Sequence, residues 1–154
     1  MAVVTIQDVT PPMAVCQNIT VDLNPGGTVT VLADSVNSGS SDACGIATLT
    51  INGQPSLTFT CADVGTQNVL FEVIDVNGNA ATCTATVTIR DTVPPTAICQ
   101  PTTVQLDVTG NVTVNVSAVN NGSTDNCGIA TVLFNNGSPN INFDCSNVGT
   151  NTVT

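Results

Sequence analysis

The chain has no histidine, lysine, tryptophan or tyrosine, and its only basic side chain is Arg90. Without His or Lys there is no ordinary base to activate a Ser or Cys nucleophile, so the residue inventory argues against an enzyme. Without Lys and Arg there is little to neutralise phosphates, which argues against nucleic acid and against anionic membrane surfaces as partners. The aromatics are four phenylalanines, so the exposed Trp or Tyr on which sugars usually stack is missing. No apolar run is long enough to span a bilayer. Residues 1–7 lack the charged start and apolar core of a signal peptide.

What is present is acid, cysteine and threonine. Eleven acidic residues leave a net charge of −10 over 154 residues, a balance that favours solubility and divalent cations. The apolar 42% is mostly Val, Ile and Ala interleaved with Thr, a strand composition that is globular rather than disordered. Seven cysteines point to an oxidising, extracellular setting. There is no CxxC to go with the missing histidines, so a zinc or redox site is disfavoured.

One stretch occurs twice. Asp8-Val9-Thr10-Pro11-Pro12 runs on to Cys16, and Asp91-Thr92-Val93-Pro94-Pro95 runs on to Cys99. Asp8 and Asp91 lie 83 positions apart, so the folding unit is a repeat of that period. Paired prolines cannot donate backbone hydrogen bonds and stiffen the entry to each unit. Met1 to Gln7 align with Thr84 to Arg90 and read as the last strand of a preceding repeat. Residues 8–90 form a complete repeat, and residues 91–154 an incomplete second one, with a one-residue insertion near Asn136. The expectation is a window cut from a longer repetitive protein.

Turn signals divide residues 8–90 into seven short alternating runs, and none has a helical period. That pattern predicts an all-β fold, a tandem array of immunoglobulin-like β-sandwiches. A unit of this size needs covalent staples. Its four cysteines allow three pairings. The expected set joins Cys16 on the first strand to Cys83 on the last, and Cys44 to Cys61 across a local loop. By the same logic Cys127 joins Cys145, and Cys99 is left without a partner.

These residues resemble a known family. Asp8…Pro11-Pro12…Cys16, Asp42-Ala43-Cys44-Gly45-Ile46-Ala47, Val64-Gly65-Thr66 and Asp75-Val76-Asn77-Gly78-Asn79…Cys83 stand in the order of a hyalin-type (HYR) immunoglobulin-like repeat. Asp125-Asn126-Cys127-Gly128-Ile129-Ala130 and Val148-Gly149-Thr150 repeat the pattern. Gln17 and Gln100 depart from it where a proline usually follows the first cysteine. Thr-rich, Lys-poor copies of this kind resemble those in giant cell-surface adhesins of gliding bacteria. The resemblance implies an extracellular, cell-surface location and a semi-rigid stalk or filament serving adhesion. The implied partners are neighbouring repeats and a surface or glycan ligand, with no nucleic acid and no direct membrane insertion. The alternative reading is a carbohydrate- or protein-binding accessory module of a secreted enzyme.

One constellation bears on chemistry. In a sandwich of this topology the chain start, the loop before the third strand and the last hairpin share a pole. That gathers Asp8, Asp42, Asp75, Asn77 and Asn79, with Asp91 and Asp125 as second-repeat counterparts. Hard oxygens of this kind suit Ca²⁺. Against that, Asp and Asn are ordinary turn residues whose side chains bond nearby amides.

Overall fold

A computed structural model describes all residues from Met1 to Thr154. The fold is all-β, with no α-helix. The chain divides into two compact units, Met1–Val93 and Pro94–Thr154.

The first unit has six strands: β1 (Ile19–Asp22), β2 (Thr28–Leu32), β3 (Ile46–Ile51), β4 (Ser56–Thr60), β5 (Gly65–Asp75) and β6 (Ala80–Arg90). One sheet has the order β1-β6-β5-β3, and β2 pairs with β4 in a second. β5 and β6 form the long central hairpin, in register from Gly65 opposite Ile89 to Ile74 opposite Ala80. Strand alternation decides the core. Val69, Phe71, Val73 and Asp75 point inward from β5, and Ala85, Val87 and Ile89 from β6; all are buried. Val31, Phe59 and Ile51 close the core with them. β1 runs parallel to β6, Ile19 opposite Val87 and Asp22 opposite Arg90, and Arg90 adds an exposed ion pair to Asp22. Ahead of β1 the chain pairs elsewhere: Met13 bridges Ser41 and Cys16 bridges Asn37.

Cys16 and Cys83 form a disulfide with a Cα–Cα distance of 6.2 Å, as the sequence predicts. The expected Cys44–Cys61 and Cys127–Cys145 bonds do not form, because Cys44 and Cys145 are free thiols. Cys99 is free as well, whereas Cys61 and Cys127 are not. Topology explains the first correction. Ile46 opposes Asp75, so Cys44 lies at the end of β5. Thr60 opposes Thr28, and Cys61 Sγ lies 3.7 Å from the Gly27 carbonyl, at the end where β5 begins. β5 separates the two ends by about 33 Å. A disulfide tolerates a Cα separation of no more than about 7 Å.

In the second unit β7 (Asn111–Asn115) pairs with β8 (Asn140–Asp144) in the register of β2 with β4. The stretches that match β1 and β3 in sequence, residues 102–106 and 129–134, are not strands. In the first unit those stretches pair with β6 and β5. A strand exists only with a ladder partner, and strand-like text without one stays irregular.

Candidate functional site

The expected pole assembles in the first unit from three loops. Asp8 enters just before the paired prolines and accepts the Thr10 amide on Oδ1 at 3.0 Å. Asp42 stands ahead of β3 and accepts the amides of Cys44 and Gly45 on Oδ1 at 2.8 and 3.2 Å. Asp75 ends β5. Its Oδ1 accepts the amides of Asn77 and Asn79 and its Oδ2 the Asn79 side-chain amide, all at 2.8 Å. The Asn79 side chain also donates to the Asp8 carbonyl at 3.3 Å, which ties the chain start to the β5–β6 turn.

Ligand atoms of Asp8, Asp42 and Cys44 lie within 4.8 Å of one another. Cys44 was not expected here, since pattern reading assigned it to a disulfide; its place two residues after Asp42 is the signal that could have found it. Asp75 is 2% exposed, and its turn consumes its oxygens. Burial pushes the Asp75 carboxyl up, but hydrogen bonds from the Asn79 side chain and from the Asn79 and Asn77 amides outweigh it and hold the carboxyl below its ordinary range. No contact from the Asn77 side chain contributes; its backbone amide does the work of the turn. Of the second-repeat residues, Asp91 belongs to the first unit and Asp125 to the second, and each accepts an amide two residues on.

Electrostatics set the chemistry of the cluster. The Asp8 carboxylate, as hydrogen-bond acceptor and as a nearby negative charge, holds the Cys44 thiol above its ordinary value. Burial and the charges of Asp42 and Asp75 push the same way. Cys44 therefore reaches its reactive thiolate form only at higher pH than an ordinary cysteine does. Asp8 Oδ2 is buried and no hydrogen bond of good geometry reaches it. Asp8 and Asp42 together offer a hard cation two carboxylates, against the roughly six to eight oxygens that Ca²⁺ takes.

The long loops at residues 34–42 and 117–125, the surfaces on which a ligand reader would vary, are built alike. Ser40 Oγ accepts the Val15 amide at 2.9 Å, and Ser123 Oγ accepts the Ile98 amide at 3.0 Å. Phe59, Phe71 and Phe134 are buried and Phe143 is half-buried, so no ring is displayed for stacking.

Comparison with known proteins adds lineage to this geometry. The family profile described as HYR domain matches residues 7–89. A protein named Hyalin, from Strongylocentrotus purpuratus, is 32% identical over 143 residues, which cover 91% of this chain and 12% of that relative. The chain thus spans a small fraction of the relative it matches. No solved structure matches it.

Proposed function

The chain belongs to the HYR-domain family, and from that premise we propose that it is a structural repeat segment of an extracellular cell-surface adhesin, one that bears load as part of a semi-rigid stalk. The observation that carries this reading is the Cys16–Cys83 disulfide, which joins the segment entering the first unit to the strand leaving it. Tension applied along the chain passes from Cys16 to Cys83 and bypasses the residues between them, 67 positions apart in sequence. Closing a loop of this length stabilises the unit by about 4 kcal/mol in the chain-entropy treatment. Paired prolines at the entry, with Pro12 buried, limit bending there.

The accessory-module reading needs a displayed ring or divergent loops, and the matched Ser40 and Ser123 anchors favour a spacer. Force spectroscopy on the whole chain tests the proposal. Under oxidising conditions the first unit should yield little length when pulled from its ends. After reduction it should release a further 220–240 Å or so, at roughly 3.3–3.6 Å per bypassed residue. Equal extension with and without reductant would mean that the staple is outside the load path, and the stalk reading would fail.

A further inference from the structure

The dipeptide Asn-Gly occurs four times, at Asn52, Asn77, Asn121 and Asn136. Asparagine is a thermolabile residue, and a following glycine leaves its own amide nitrogen unshielded by any side chain. The reaction is internal. Hydroxide takes the proton of the glycine amide, and the nitrogen attacks the asparagine Cγ. The new N–Cγ bond displaces the side-chain nitrogen, which takes a proton from water and leaves as ammonia. Water then opens the cyclic imide. Opening at Cγ gives aspartate, and opening at the main-chain carbonyl gives isoaspartate, whose chain runs through the side chain. All four pairs have the same chemistry; their surroundings sort them.

Asn52 is held: its Oδ1 accepts the Leu70 amide at 2.8 Å, which keeps the carbonyl on β5. Asn136 is held too, with Oδ1 on the Ser138 amide at 3.0 Å, and the Gly137 amide donates to the Phe134 carbonyl at 2.8 Å. Asn77 has an unengaged side chain, but the Gly78 amide donates to the Asp75 carbonyl at 3.3 Å. The Asp75 carboxylate, 2.8 Å from the Asn77 amide, also opposes an amide anion there. Asn121 has none of these restraints. It is exposed, its side chain makes no hydrogen bond, and the Gly122 amide has no acceptor. Asn120 carries the loop instead: its Oδ1 accepts the amide and the hydroxyl of Ser123 at 3.2 and 2.6 Å. Gly122 has a φ of 77° and open space where a side chain would point, so nothing blocks the approach of its nitrogen.

We propose that Asn121 is a deamidation site, the first of the four to react in the folded protein. The anchoring of its loop recurs in the first unit: Thr96 bridges Thr124 and Cys99 bridges Asn120, as Met13 bridges Ser41 and Cys16 bridges Asn37. Ser38 stands where the second unit has Asn121, so the two loops share a frame and differ in this chemistry. The product adds a carboxylate to a chain whose net charge is already −10. Isoaspartate also lengthens the main chain between the two points that tie the loop to Ile98. The Asn121 amide donates to the Ile98 carbonyl at 2.8 Å, and Ser123 Oγ accepts the Ile98 amide at 3.0 Å. The added carbon misaligns this pair, and the Ile98 amide loses its acceptor. The loop thus gains charge and freedom with the age of the protein.

Peptide mapping of the full chain by mass spectrometry, during incubation at neutral pH, tests this. Loss of asparagine at Asn121 should outpace loss at Asn52, Asn77 and Asn136 by about tenfold, since restrained sites react only through local opening. The rate should climb with pH, because hydroxide generates the attacking nitrogen. In urea the four rates should converge, as the restraints vanish with the fold. In the separated isoaspartate form amide exchange at Ile98 should quicken. Asn121→Ser, which installs the first unit's residue, should abolish the reaction in this loop and leave the exchange unchanged. Equal rates at the four sites in the folded chain, another asparagine in the lead, or an order that survives in urea would each overturn the proposal.

Discussion

Cys44 is a thiol whose behaviour is set by a neighbour from another loop. Asp8 keeps it protonated by accepting its proton's hydrogen bond and by charge, and Asp42 and Asp75 add to the effect. Alkylation requires the thiolate, so Cys44 should react with iodoacetamide near pH 8 more slowly than an unhindered thiol. Asp8→Asn removes the largest cause and should speed the reaction several-fold, read at the Cys44 peptide by mass spectrometry. Because the thiol value is raised, the thiolate appears later as pH climbs, and the wild-type rate should keep rising above pH 9. The same measurement reports on a cation. Ca²⁺ seated on Asp8 and Asp42 would cancel the charges that hold the proton, so adding it should mimic Asp8→Asn. A rate indifferent to both Ca²⁺ and Asp8→Asn would remove the ion from this pole and the stated cause of the shift with it.

At the scale of the element, β5 organises the first unit. It pairs with β6 along one edge and β3 along the other, and Phe71 at its middle opposes Cys83 and Ile51 with no exposure at all. Phe71→Ala removes a full ring from a closed core and should cost about 3–5 kcal/mol in urea unfolding. Val64→Ala, at the half-exposed position just ahead of the strand, should stay within about 0.5 kcal/mol. Period-two alternation was enough to find β5 and β6, because Val69, Phe71 and Val73 alternate with more exposed neighbours. It also put Asp8 and Asp42 at one pole, since the sandwich topology fixes which loops meet. It failed where direction matters. Asn52-Gly53 is the tight turn its sequence predicts, with positive φ of 49° and 76° and Ile51 bridged to Gln54. Yet β3 and β4 join different sheets, so the chain carries on to the far end of β5 and leaves Cys44 behind. Alternation also marks residues 102–106 and 129–134 as strand text, but says nothing of whether a partner lies alongside.

Across the whole molecule the two units differ in how far their cores are closed. The first buries twelve of the fourteen hydrophobic core residues, and the second only Val114 and Phe134. Val104, the counterpart of Val21, is 44% exposed, and Leu133 is 47%. Apolar burial supplies most of the drive to fold, and the second unit also has no equivalent of the Cys16–Cys83 staple. Calorimetry of the oxidised chain should therefore show two transitions rather than one, with exchange of the β7–β8 amides reporting the lower. A single transition in the wild-type chain, with β7–β8 amides as protected as those of β5, would contradict the unequal closure of the two cores.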